Sequence, residues 1–314
     1  MEINPQIRRM EVYSGRNVLL IASLGAVYLA LSYFLIGFKP EQVFLVGLFF
    51  LLYFLSAPTR RFILGFSIFI VYWIVFDYMK AFPNYHYNPV HIESMYQAEK
   101  NIFGIFYQGS HMTLNEFFLR KGNTPLDITA GLFYLTWIPV PLLFGAFLFY
   151  RDRQRFFHFS LTFFLVNILG FVIYYLYPAA PPWYVQQHGF TFLEGTGGNT
   201  AGLSKFDQFF HTGIFRSIYA KSSNVFAALP SLHSAYPAIV LYFGIKSRVG
   251  LINLPLAIIM AGVWFSAVYT SHHYVIDVLC GIGCGIAGMA LFEWLLVKSS
   301  RLNSFVDHMV RLTT

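Results

Sequence analysis

Eight stretches of this chain are too long and too apolar for the surface of a water-soluble protein. They run over about 17–38, 41–57, 62–79, 128–149, 156–177, 233–246, 251–270 and 274–297. A bilayer core takes about 20 mostly apolar residues per helix, and 17 to 25 are tolerated. The runs therefore read as membrane spans, with the short second and sixth expected to tilt or to end in the interface. No run alternates with period two, which excludes a barrel. Composition agrees, since 57% of the 314 residues are apolar and only 11% are charged. Soluble domains carry roughly 25% charged residues. An ordinary cytosolic globule, a disordered chain and a nucleic-acid reader are all excluded, despite the net charge of +7. The fold class expected is an all-α, polytopic membrane helix bundle. Cys280 and Cys284, four apart within an apolar run, read as helix packing and not as a disulfide scaffold.

Loop charge sets the expected orientation. With eight spans, both termini share a side, and that side carries Arg8, Arg9, Arg16, Arg60, Arg61, Arg151, Arg153, Arg155, Lys246, Arg248, Lys298, Arg301 and Arg311. These are thirteen of the 21 basic residues. Short basic loops stay cytoplasmic, so both termini are expected inside. The long loops 80–127 and 178–232 then face the periplasm or an organelle lumen. Three regions follow: N-terminal membrane helices over 1–79, an outer interfacial loop over 80–127, and a helical core over 128–314 that includes the outer loop 178–232. The first outer loop is rich in apolar side chains, among them Ile92, Met95, Tyr96, Phe103, Phe106, Phe117 and Phe118. Such a segment is expected to lie in the headgroup layer or to re-enter it. The tail places Leu302, Phe305, Val306, Met309 and Val310 at helical spacing, as in an interfacial helix.

Chemistry concentrates at two span openings. Pro230-Ser231-Leu232-His233-Ser234 starts the sixth span, and Ser271-His272-His273-Tyr274-Val275-Ile276-Asp277 starts the eighth. Forty residues separate His233 from His273, enough for a helical hairpin that returns the chain to the face it left. His273 and Asp277, four apart, share a helix face. The carboxylate can then hold one imidazole nitrogen and leave the other free to attack. This pattern suits metal-free phosphoryl transfer: His273 as nucleophile, Asp277 steadying the imidazolium, and His233 as general acid and then general base. Free N–H groups at the helix start bind phosphate oxygens, with Ser231 as the expected cap. A snorkelling interfacial histidine is the bland alternative, but an acid inside a span is costly and usually functional. His272 lies about 100° around the helix from His273 and is expected to pack or to touch substrate. His86, His91 and His111 match no tight metal-ligand spacing, so no metal and no cofactor are expected.

The two segments resemble the second and third signature motifs of the type-2 phosphatidic acid phosphatase superfamily. Two departures stand out. The Arg usually found six residues before the nucleophile is replaced by Ala267, and the usual Lys and Arg-Pro of the first motif give way to Tyr177-Pro178-Ala179-Ala180-Pro181-Pro182-Trp183-Tyr184. That proline-rich stretch is similar to the inositol phosphorylceramide synthase branch. So are Gly197-Gly198, the segment Ala201-Gly202-Leu203-Ser204-Lys205-Phe206-Asp207, and His272-His273-Tyr274 with Asp277. The resemblance covers about 125–297. It implies a six-helix core, with two further helices alongside. It also implies transfer of phosphoinositol from phosphatidylinositol to ceramide, releasing diacylglycerol.

Without the usual basic residues, phosphate neutralisation must come from Lys205, Arg216 or Lys221. Lys205 ranks first because it matches a basic position of the synthase pattern. Ser231, Ser234, His272, Asp207, Trp183 and Tyr184 complete the expected substrate-binding set, Trp183 and Tyr184 as a rigid wall beside the headgroup. Asp127 reads as a polar anchor or part of the cavity. The expected partners are lipid substrates and the bilayer; nothing points to a protein partner or to nucleic acid. Two other functions stay open: a lipid phosphate or polyprenyl diphosphate phosphatase, and a non-enzymatic transporter or scaffold. The first wants more positive charge than this chain offers. The second puts its site near the midplane, whereas these residues cluster at one face.

Overall fold

The computed structural model describes residues 13–221 and 224–314, so Arg8 and Arg9 lie outside the described residues. Among the described residues the regular structure is helical, apart from one small hairpin and two isolated bridges. It divides into two compact units, Met1–Ala81 with Phe305–Thr314, and Phe82–Ser304.

The first unit holds α1 (Gly15–Ile36), α2 (Pro40–Leu55) and α3 (Ala57–Tyr78). Ser14 caps α1 and Ser56 caps α3, each accepting an amide of the first turn. Between the helices polar contacts are few and paired, as in the Ser32 and Tyr78 hydroxyls, 2.9 Å apart.

In the second unit, the segment after Phe82 is a folded layer. It comprises α4 (Glu93–Phe103), the strands β1 (Ile105–Tyr107) and β2 (Ser110–Met112), and α5 (Leu114–Lys121). Gln108 and Gly109 both take positive φ, the conformation a two-residue hairpin turn demands. Then follow α6 (Thr124–Leu135), α7 (Pro139–Arg151) and α8 (Arg153–Leu176), and the short outer helices α9 (Pro182–His188), α10 (Ser204–Phe209) and α11 (Ile214–Tyr219). The unit closes with α12 (Leu232–Lys246), α13 (Asn253–Tyr269) and α14 (Val275–Lys298); α15 (Ser300–Thr313) begins here and ends in the first unit.

Among the described residues six helical stretches are long and apolar enough to cross a membrane: Gly15–Ile36, Ala57–Ala81, Thr124–Arg151, Arg153–Leu176, Gly250–Tyr269 and Val275–Lys298. The remaining two apolar runs form α2, of 16 residues, and α12, of 15. At about 1.5 Å per residue, each is shorter than the roughly 30 Å hydrocarbon core, in keeping with the two runs expected to tilt or to end in the interface. For α12 the cause is local, because the chain before Leu232 is drawn into a layer of loop segments. Ala179 accepts the Ala228 amide and donates its own to Phe226, while His91 bonds to Pro178 and Ala180. Three outer segments are thereby laced together just ahead of the first histidine motif.

Helix α14 packs on α12 and α8 through small residues. A Cβ on Gly281 would lie 2.0 Å from the Ser231 carbonyl oxygen, and one on Gly288 would lie 2.4 Å from Val166. Close approach of this kind replaces hydrophobic drive as the source of cohesion in a bilayer. Gly281→Ala must therefore push backbone away from backbone, a destabilisation of about 3 kcal/mol or more. Gly283→Ala, which meets nothing within 4 Å, is its control. Melting of the two variants in detergent should show a large drop for the first and almost none for the second.

Candidate active site

The turn between α13 and α14 carries Ser271, His272 and His273. Its amides at His272 and His273 both donate to the Ala267 carbonyl, at 3.1 and 3.0 Å. Ser271 takes a positive φ of 60°, a conformation a non-glycine residue holds only when its surroundings enforce it. Those surroundings are on α9: the Trp183 amide donates to the Ser271 carbonyl at 3.0 Å, and the Gln186 side-chain amide donates to the Ser271 hydroxyl at 3.0 Å. Asn115, fully buried on α5, donates its side-chain amide to the carbonyls of Val268 and His273 at 2.8 and 3.0 Å.

This scaffold brings the two histidines into contact. His233 Nδ1 stands 2.9 Å from His273 Nε2, and His273 is only 5% exposed. On the far side of the ring, His273 Nδ1 lies 3.6 Å from Asp277 Oδ2, an ion-pair distance beyond hydrogen-bond length. Asp277 Oδ2 also accepts the Tyr274 amide at 2.8 Å, and the Asp277 backbone carbonyl accepts the Ser231 amide at 2.9 Å. A proton on His273 Nδ1, toward the carboxylate, leaves Nε2 as the lone-pair nitrogen and makes His233 Nδ1 the donor between the rings. Burial pushes the His273 imidazole down to about 4, with the Ala228 carbonyl opposing, so the ring is neutral at pH 7. A neutral imidazole is the nucleophilic form.

Aromatic side chains seal the pair. Trp137 meets the His233 ring edge-on at 4.4 Å, and Tyr134 lies 5.3 Å from both His233 and His272. His272 is 5% exposed; its Nδ1 pairs with the Thr270 hydroxyl at 3.0 Å, while Nε2 is buried without a partner. Burial and the two neighbouring histidines push its imidazole well below the usual range. Attack on phosphorus needs reacting atoms about 3–3.5 Å apart, with the leaving oxygen beyond. Rings already 2.9 Å apart leave no room for that, so a phosphate group must part them on entry.

The two helix starts differ in a way that bears on phosphate. At α14 the first two amides are taken: Val275 and Ile276 donate to the two oxygens of Glu99, at 3.0 and 3.1 Å. At α12 no side chain caps the helix, although Ser231 occupies the cap position. The expected Ser231 cap does not form because its hydroxyl accepts the Ser234 hydroxyl at 3.1 Å. The open N-terminus is thus the one that carries His233, and it suits an anion.

Other expected site residues have visible partners. Lys205 Nζ lies 3.3 Å from Asp127 Oδ1, which also accepts the Tyr269 hydroxyl at 2.8 Å. Asp207 accepts the amides of Phe215 and Arg216 at 3.2 and 3.0 Å and the Thr212 hydroxyl at 3.2 Å, closing its own loop. Arg216 is exposed on α11. Trp183 and Tyr184 are buried, in ring contact with each other, His188 and Phe226, and the Tyr184 hydroxyl is held by Thr191 and Leu193. His86 pairs with Glu194, His91 stacks on Tyr177 and His111 stacks on Phe106.

Ala267 is fully buried in a cluster with Tyr134, Leu203, Phe206 and Phe215. A cluster of this kind leaves no room for the guanidinium that the superfamily pattern places there. Glu99, Asn115, Tyr134, Trp137 and Tyr219, whose ring lies 4.5 Å from that of His272, had no signal in the sequence. Glu99 is fully buried, and burial together with the nearby Asp277 pushes its carboxyl up against the pull of the two amides.

Comparison with known proteins identifies the family. Residues 107–291 match the family model described as PAP2 superfamily. The phosphoinositol dihydroceramide synthase of Bacteroides thetaiotaomicron is 40% identical over 297 residues, 94% of this chain and 97% of the relative. The inositol phosphorylceramide synthase of Candida albicans is 29% identical over 191 residues, 56% of this chain and 39% of its own. The catalytic subunit of that synthase from Saccharomyces cerevisiae is 26% identical over 216 residues, 68% of this chain and 52% of its own. No solved structure matches the chain significantly.

Proposed function

This chain belongs to the PAP2 superfamily, and from that membership we propose that it is a phosphoinositol transferase acting on ceramide or dihydroceramide. The observation that carries the reading is the 2.9 Å contact of His233 Nδ1 with His273 Nε2, with Asp277 behind the second ring. His273 Nε2 attacks the phosphorus of phosphatidylinositol. The bond from phosphorus to the glycerol oxygen breaks, and that oxygen takes the Nδ1 proton of His233, which enters as the imidazolium beside the anionic diester and is left neutral, and departs as diacylglycerol. The primary hydroxyl of the ceramide then attacks the phosphohistidine, giving its proton to His233 as the phosphorus–nitrogen bond breaks. Asp277 counterbalances the positive charge that the phosphorylated His273 ring holds between the two steps. The chemistry assigned to these residues needs no metal.

Two features favour a diester donor over a phosphate monoester. The position usual for Arg is Ala267, packed in an apolar cluster, and Lys205 is shared with Asp127. A dianion would lack cations here; a monoanionic diester can rest on the open amides of α12 and on Lys205. Lys205→Met is expected to lower kcat/KM for phosphatidylinositol by about tenfold, the loss of one charge-assisted contact, measured by initial rates at fixed ceramide. The short basic loops favour termini in the cytoplasm and histidines on the periplasmic or lumenal face.

The test is an acceptor assay on purified protein in detergent with headgroup-labelled phosphatidylinositol. Product formation that requires ceramide or dihydroceramide supports the transferase. Release of water-soluble phosphate compounds regardless of acceptor would make the protein a hydrolase.

A further inference from the structure

Among the described residues Glu99 and Asp277 are the two carboxylates with no exposure at all, and no cation among them pairs with Glu99. Burying a charge is costly unless strong partners replace water. Its partners are the Val275 and Ile276 amides, the positive end of the helix that bears the nucleophile's carboxylate. The residue reaches this point from α4, more than 170 positions earlier in the chain.

Asp277 is the third residue of the same helix and sits within one turn of the same amides. An acid at that position folds back onto the helix start, and Asp277 does so with one oxygen, toward Tyr274. Its Oδ1 has no hydrogen-bond partner, and Oδ2 faces His273. With Glu99 removed, two further open amides would compete for that carboxylate. We propose that Glu99 is a positioning residue which occupies the first amides of α14 and so reserves Asp277 for His273. Asn115 complements it, holding the His273 carbonyl from the next outer helix. The inference rests on the assignment of His273 and Asp277 made above.

The test uses the full chain in detergent, with Glu99→Ala and Glu99→Gln beside wild type. Glu99→Ala is expected to lower kcat by about 10- to 100-fold, as loss of an orienting partner does, with KM for both lipids within about twofold. Glu99→Gln keeps one acceptor oxygen and is expected to lose less. Hydrogen exchange of peptides covering 270–278 should accelerate in both. An unchanged kcat, or a melting shift with unchanged turnover per folded molecule, would overturn the proposal. Where the alanine variant does not fold, the glutamine variant carries the same readings. A wild type inert toward both lipids would defeat the proposed function instead. Exchange alone would then decide for Glu99, and unchanged protection at 275–276 would overturn the cap.

Discussion

Replacing His273 with alanine will reduce phosphoinositol transfer by at least about a thousandfold while leaving the protein folded. The loss is large because the substitution removes the bond-forming atom and not a contact to substrate. Its fold should survive for a specific reason. The His273 backbone is held independently of the ring, through its amide to Ala267 and its carbonyl to Asn115. His233→Ala is expected to cost less, about 10² to 10⁴, because it removes proton transfer while the nucleophile stays. Steady-state rates with both lipids, beside melting curves, check the pair. An alanine variant at position 273 that retains a tenth of wild-type turnover would remove the nucleophile assignment.

The second large effect is at Asp277. Asparagine has the same shape, and its amide oxygen can still accept the Tyr274 amide, so the start of α14 stays intact. What disappears is the negative charge 3.6 Å from His273 Nδ1. The imidazolium formed during attack then has no counter-charge in a buried site, where water supplies little screening. We expect kcat to fall by about 10³, with KM changed by only a few fold, comparable in kind to the loss when the acid of a hydrolytic triad is neutralised. Rate measurements that leave kcat within about threefold of wild type would show that the carboxylate serves only to cap the helix.

The sequence carried most of the membrane architecture, because long apolar runs bounded by basic loops are local signals. It also carried the His233, His273 and Asp277 constellation, since a hairpin length and an i, i+4 spacing can be read without coordinates. What it could not carry were bonds whose partners are remote. Glu99 and Asn115 sit among apolar residues that read as an interfacial segment. Nothing in their spacing points to carbonyls and amides some 150 to 180 positions away. Ser231 shows the converse limit. A Ser before an apolar helix reads as a cap, yet the neighbouring Ser234 hydroxyl engages it and leaves the helix start open. The substitution at Ala267 was visible as a missing charge; only packing shows that Phe206 and Phe215 share its cluster.

The account turns on a covalent phosphohistidine at one residue, and that can be observed directly. Purified wild-type protein would be mixed with phosphatidylinositol labelled in its phosphate, without ceramide, and quenched in alkali, where a phosphorus–nitrogen bond survives. Peptide mass spectrometry should then find phosphoinositol on His273, and brief addition of ceramide should discharge it into lipid product. Sustained turnover with no labelled peptide, or label on another side chain, would contradict the mechanism.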